Sequence, residues 1–374
     1  MNRIIKHYIQ LFLCLCVSNL ISAQFEVSAS TLSGYESNIL RVPDRLLIDD
    51  EIINDDELYQ SSFYQDVIAY LKYTRESRKS EFNISAKPQR RFYFSESDSD
   101  RLLLDLKTSF KLDIGKTSSW QSEAQYYLKD QNGLDADENE VGASFAYNVL
   151  NFDSQLNFRL YRSNRSFVGV HYGKKTFDPT ETREVSYHKY GVNLGFKNVK
   201  WKNHLLRSYG ITSSFIQRKY DIGTRSEDDE FVTENRTWNY LNTRAFFKIE
   251  LSKSWTLYPS LTYEKRLDQS NERFGYNEWT PKVYLAYEKD KFKMSISGSY
   301  TNRRFTDLTV NESELLTYDY IRCKVNLSYR LFNNISIISQ AYYINRDSNN
   351  SDLSATTFRS YSNYYAGVGL KINF

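Results

Sequence analysis

Every second residue of the segment Tyr364 to Phe374 is apolar: Tyr364, Ala366, Val368, Leu370, Ile372 and Phe374. Between them stand Tyr365, Gly367, Gly369, Lys371 and Asn373. A period of two puts neighbouring side chains on opposite faces of a strand, so this stretch has one greasy face and one that is not. The same period runs through most of the chain. Another segment sets Leu102, Leu104, Leu106, Phe110, Leu112 and Ile114 against Asp105, Lys107, Ser109, Lys111 and Asp113. A third sets Ile321, Cys323, Val325, Leu327, Tyr329 and Leu331 against Arg322, Lys324, Asn326, Ser328 and Arg330. Read back from the end, such segments fall near 361–374, 335–346, 318–332, 291–304, 278–289, 255–267, 238–251 and 206–221. They continue near 185–199, 166–177, 139–162, 119–129, 101–114, 80–94, 59–75 and 25–36.

So many one-sided strands must hide their apolar faces in a core or in lipid. Composition points to lipid. The chain holds 31 Tyr and 23 Phe against 2 Met and 5 Pro, and its mean hydropathy is negative. No apolar run of helix-spanning length follows residue 23, which excludes a helical membrane protein. A transmembrane barrel needs an apolar residue only at alternate positions, and its aromatics form girdles at the two interfaces. The expected fold is therefore all-β: a transmembrane antiparallel β-barrel of about 16 strands, with 14 to 18 allowed. The connections alternate in length. Arg78-Lys79, Lys253-Ser254, Asp290 and Asn333-Asn334 are short, while 37–58, 130–138, 223–237, 268–277, 305–317 and 347–360 are long. Short turns on one side and long loops on the other put both strand termini on the short-turn side, which requires an even strand number. The segment 139–162 strains this count. Its runs Val141–Val149 and Leu156–Leu160 are out of phase, and two strands there would make the number odd.

The first 23 residues read as a signal peptide. Arg3 and Lys6 precede an apolar stretch from Tyr8 to Val17, and Ser22-Ala23 supplies the small residues at a cut before Gln24. Residues 24–374 then form the barrel, with no soluble domain, linker or repeat evident beside it. Cys14 and Cys16 follow leucines, which does not suit lipid attachment. Cys323 is the one cysteine left, so no internal disulfide forms, and its period-two neighbours mark it as a small apolar residue on the lipid face.

The ending Gly369-x-x-Ile372-x-Phe374 resembles the closing strand of Gram-negative outer-membrane β-barrels, whose terminal signal is read by the barrel-assembly machinery. Gly367 departs from the polar residue usual at its place. The resemblance implies an outer-membrane location and an assembly signal at Gly369, Ile372 and Phe374. It also implies outer-membrane lipid and lipopolysaccharide as surroundings. The stretch Ser33-Gly34-Tyr35-Glu36-Ser37-Asn38-Ile39 is similar to the opening of some porin-like barrels and of the barrel domain of surface lipoprotein assembly modifiers. Those modifiers carry a helical-repeat domain for which no counterpart is read here. The Tyr- and Asn-rich style resembles envelope proteins of Bacteroidota.

Parity places Lys189, Lys197, Arg244, Lys248, Arg266, Lys282, Lys293, Arg322, Lys324 and Arg330 on the inner face, with Glu250, Glu264 and Glu288 as acids there. A lumen lined this way favours anions if its charges are not compensated. The formal net charge of +3 is too small to imply nucleic-acid binding. The long loops are acidic at 49–57, 98–100, 135–140, 227–230 and 312–314, and could hold divalent cations, though none has EF-hand spacing. The first of these loops mixes Ile48, Ile52, Ile53 and Leu58 with its charges and is long enough to fold into the lumen as a constriction. Catalysis has little to stand on. His171, His188 and His204 are the histidines beyond the signal, and His171 and His188 flank a loop near 178–184 whose Asp178, Glu181 and Glu184 leave a His–carboxylate dyad open to them. No nucleophile motif, Gly-rich phosphate loop or Cys pair accompanies it, and no cofactor is expected. The expected function is a passive porin-like channel for small solutes with a weak anion preference, not an enzyme. The alternatives are a plugged barrel that binds a partner or translocates surface proteins, and, further off, a barrel hydrolase.

Overall fold

The computed structural model describes residues 23–374, apart from 49, 131–145, 162, 178–185, 200–204, 221–235, 271–272 and 356–358. The signal-peptide reading lies outside the described residues. The wall begins with β1 (Ala23–Glu36), β4 (Ser62–Glu76), β5 (Ser80–Tyr93), β6 (Arg101–Ile114) and β7 (Ser118–Asp130). It continues with β8 (Tyr147–Tyr161), β9 (Asn164–Phe177), β10 (Tyr187–Val199), β11 (Leu206–Tyr220), β12 (Thr237–Glu250) and β13 (Trp255–Asp268). The circuit ends with β14 (Tyr276–Lys289), β15 (Phe292–Val310), β16 (Glu314–Arg330), β17 (Ile335–Ser348) and β18 (Tyr361–Asn373). Each strand pairs antiparallel with its neighbours and β1 closes on β18, giving a closed barrel of sixteen strands. Between β1 and β4 a small hairpin, β2 (Arg45–Ile48) and β3 (Glu51–Asn54), forms a separate two-stranded sheet.

The wall is turned inside out relative to a soluble protein. Val67, Leu71, Leu102, Leu106, Val192, Leu194, Val368 and Leu370 are all exposed, each on the outer face. Aromatic pairs band that face at two levels. Phe25–Tyr73, Phe110–Trp120 and Trp255–Tyr287 lie near the short-turn end, and Tyr35–Phe63, Tyr172–Tyr190 and Tyr263–Trp279 lie towards the loops. Such paired belts are what an apolar zone bounded by two interfaces calls for.

Two loop expectations are corrected, and the strain at 139–162 resolves as the single strand counted there. The residues of 139–162 that are described belong to one strand, β8, whose outward side shows Leu150, Phe152, Leu156 and Leu160. Its apparent change of phase arises because Tyr147 and Val149 point inward and are apolar too; residues 139–145 lie outside the described set. The expected long loop 305–317 is instead mostly strand. β15 and β16 run on as a projecting hairpin closed at Asn311–Ser313, where Asn311 and Glu312 take φ of 50° and 73°. A register shift between Arg304 and Thr309 re-aims the pair where it leaves the wall.

The first long loop divides into two parts. Ile39 turns inward and packs on Leu32, Tyr64 and Tyr93. The hairpin beyond it does not enter the lumen as expected. Leu47 N–H donates to Leu353 O and Asp44 N–H to Ser360 O, tying it to the final loop, and Ile48 and Ile52 remain exposed.

Candidate functional site: the barrel lumen

The ten cations singled out in the sequence stand in their strands at positions that alternate with the exposed apolar residues, as Lys189 does with Tyr190 and Val192 and Arg322 with Ile321. Their surroundings differ. Lys293 pairs with Glu288 at 2.6 Å, and Lys248 lies 3.7 Å from Glu250. Arg330 donates to Asp290 O, and Lys324 is within electrostatic reach of Lys87 and Lys282. Arg266, by contrast, is fully buried among rings. The same parity puts Lys87, Arg91, Lys111, Arg165, Lys175, Arg218, Arg303 and Arg346 on the inner face. Carrying the alternation from the apolar phase of each strand to its ends would have found them.

Towards the loops the inner face becomes a girdle of alternating aromatic and cationic side chains. Lys175 Nζ sits 4.1 Å from the Tyr147 ring centre and 4.5 Å from that of Phe177. Arg218 lies on Tyr187 at 4.1 Å, and Arg236 on Trp238 at 4.0 Å and Tyr220 at 4.8 Å. Arg266 is held between Trp238 and Tyr276, Arg303 on Tyr276, and Arg346 between Tyr361 and Tyr318. Neighbouring rings meet edge to face, as in Tyr187–Tyr220, Tyr220–Trp238 and Phe305–Tyr318. Each of these cations lies over a ring, whose negative face attracts it and offsets part of the cost of its burial.

One sector of this girdle carries acids. Arg91 donates from Nη1 to Glu36 Oε2 at 2.6 Å, and from Nε and Nη2 to the two Asp66 oxygens at 2.8 Å. Tyr93 OH and Asn363 Nδ2 donate to Glu36, and the Arg91 guanidinium lies 3.8 Å from the Tyr64 ring centre. Asn38 bonds both the N–H and the C=O of Val42 and reaches Ser362 O, while Ser37 N–H donates to Tyr364 O. The Glu36-Ser37-Asn38 stretch that resembles porin-like openings is therefore the clasp of the β1–β18 seam. Glycines let that seam close. A Cβ on Gly34 would strike Ala366 O and the Tyr64 ring, and one on Gly369 would strike Thr31 O. Gly367 departs from the usual polar residue because Leu32 and Tyr64 occupy its side-chain space. Ile372 and Phe374 face outward, Phe374 at 79% exposure, with its N–H on Val27 O.

Near the short turns the lumen opens into cavities of mixed lining. One, about 540 Å³, is lined by Lys111, Gln121, Arg165, Lys197, Thr212 and Phe246 among others. A second, about 460 Å³, is lined by Lys293, Asn326, Gln340 and Lys371 among others. A third, about 360 Å³, is bounded by Arg244, Tyr258, Ser260, Lys282, Tyr284 and Ala286.

The two described histidines occupy opposite faces of the wall. His171 Nδ1 meets Asp153 at 2.8 Å inside the lumen, whereas His188 Nδ1 meets Tyr172 OH at 3.0 Å on the outer face. The expected partners at 178–184 and His204 lie outside the described residues. Asp153 went unnoticed because it falls in a stretch read as a break between two runs. Among the described residues no three His, Cys, Asp or Glu side chains converge as a metal site. Asp100 accepts from Tyr93 N–H and Glu314 from Asn311; the acidic runs at 135–140 and 227–230 lie outside the described residues.

No family model matches the chain, and no curated protein matches it. Solved structures do. OccAB1 of Acinetobacter baumannii aligns with a TM-score of 0.52 at 9% identity, over 94% of this chain and 97% of that one. The chain has the fold of the Gram-negative outer-membrane β-barrels. The copper transporter OprC aligns at 0.45 with 11% identity over 94% and 81%, and a bacterial polysaccharide outer-membrane secretin at 0.43 with 9% identity over 93% and 98%. At these identities the likeness concerns the fold.

Proposed function

We propose that the protein is an integral outer-membrane channel, delivered by a cleaved signal peptide at 1–23 and passing small solutes through its lumen without catalysis. Its termini lie in the periplasm and its long acidic loops face outward. The observation that carries this reading is the separation of charge. Among the described residues, bases outnumber acids at the positions that alternate with the outward apolar ones, while the loops hold Asp50, Glu51, Asp55, Asp56 and Glu57 in one short stretch. A net charge of +3 conceals that division. A cation-rich passage between low-dielectric walls raises the local concentration of anions, so the channel prefers anions. Gly369, Ile372 and Phe374 serve as the assembly signal, and lipopolysaccharide surrounds the outer wall, with divalent cations bridging acidic loops to its phosphates.

The buried girdle supports a second reading, a barrel plugged at its mouth that binds a partner or passes surface proteins only when opened. Reconstitution in planar bilayers decides between them. Discrete conductance steps from purified protein support the channel, and a silent, correctly folded barrel supports the plugged form.

A further inference from the structure

We propose that the girdle holds a bound oxyanion at Arg266, Trp238 and Tyr240. The proposal deepens the anion-preferring reading of the lumen and rests on it for the direction from which the ligand arrives. Arg266 and Trp238 are 0% exposed and Tyr240 is 9% exposed. Register brings them together: Tyr240 stands opposite Arg266 across β12 and β13, and Tyr276 stands opposite Arg266 on the other side. The guanidinium is stacked between two rings, with Cζ 4.0 Å from the Trp238 centre and 4.3 Å from the Tyr276 centre. Both its faces are covered, so it can bond only through its edge.

Nε uses one position on that edge, donating to Phe274 O at 2.6 Å. Nη1 and Nη2 have no hydrogen-bond partner among the described residues, and neither do Trp238 Nε1 nor Tyr240 Oη. An indole N–H and a guanidinium can only donate, so this group of atoms calls for an acceptor. The two acids close by are engaged elsewhere. Glu264 accepts from Tyr276 OH and Asn242 Nδ2, and Asp268 accepts from Ser270 N–H and Phe274 N–H. Arg218, 5.1 Å from the Tyr240 ring centre, adds a second positive charge. A neutral acceptor would leave the charge of Arg266 buried without compensation. A carboxylate, phosphate or sulfate group answers both needs, because its oxygens match the guanidinium edge in pairs.

The test is isothermal titration of the full-length purified protein with sulfate, as the free ion, and with gluconate, as the carboxylate of a larger solute. Saturable one-to-one binding of either is expected, and the tighter ligand identifies the source. Trp238→Phe and Tyr240→Phe keep a ring in place and remove one donor each; each is expected to weaken binding about ten-fold. Arg266→Lys keeps the charge and loses the fork, and is expected to weaken it at least as much. Absence of saturable binding, or wild-type affinity in both phenylalanine variants, overturns the site. Conductance separates this from the channel reading: silent bilayers with intact sulfate binding remove the channel and leave the site, and conducting bilayers without binding do the reverse.

Discussion

The two ends of the lumen are built by the same sixteen strands and the same alternation, yet they solve opposite problems. At the short-turn end, inward Lys, Arg, Gln, Asn, Ser and Thr mix with Phe246, Tyr284 and Ile338 around open cavities. At the loop end, inward residues are rings and cations packed to near-complete burial. The first arrangement leaves its charges in water, where each contributes little to stability and much to the field. The second removes its charges from water and must compensate every one, by a ring face, a carboxylate or a ligand. Stability should therefore concentrate in the mouth and selectivity in the open part.

The strongest way to break this contrast is Arg91→Met. It leaves Glu36 and Asp66 buried without their cation, at a cost of about 3–5 kcal/mol. The expected result is a large fall in the thermal unfolding midpoint of the detergent-solubilised barrel. A fall no larger than that of a surface substitution would show that the seam clasp bears no load. Deleting Phe374 comes next. Its ring lies on the outer face near the short-turn end, so removal is expected to reduce the inserted fraction several-fold while conductance per inserted barrel stays the same. Normal insertion would count against the reading of Gly369, Ile372 and Phe374 as the assembly signal. Lys197→Glu sharpens the comparison from the other end. Its stability should stay within about 0.5 kcal/mol of wild type, while reversal potentials shift away from anions; an unchanged potential would place the selective region elsewhere. The smallest effect concerns Cys323, exposed on the outer face. In lipid vesicles an apolar maleimide should label it far faster than a charged one, and equal rates would mean that this part of the wall meets water.

The fold was legible because a lipid-facing wall imposes its period on every strand, and Leu102 to Ile114 or Ile321 to Leu331 show it with few exceptions. Legibility failed where the inner face is apolar as well. Tyr147 and Val149 on β8 looked like a separate strand because they belong to the aromatic mouth. The β15–β16 projection was read as a loop because Leu308 and Leu316 pack within a ring cluster beyond the regular wall. Parity alone sets cations such as Lys189 and Lys324 opposite the apolar phase of their strands. What parity cannot express is neighbourhood across strands. Arg266 carries the same sequence signature as Lys282, yet one is sealed between Trp238 and Tyr276 and the other borders an open cavity. The pairing of Asp153 with His171 was hidden for the same reason, since the two lie on neighbouring strands.

The central claim is that an excess of cations along the open lumen selects what passes. Reversal potential in a potassium chloride gradient, measured on the wild-type protein in planar bilayers, tests it most directly. The sign expected is that of chloride-preferring conduction, set by inward bases such as Lys87, Lys282 and Lys324. A potential of the opposite sign, reporting potassium preference, would contradict it.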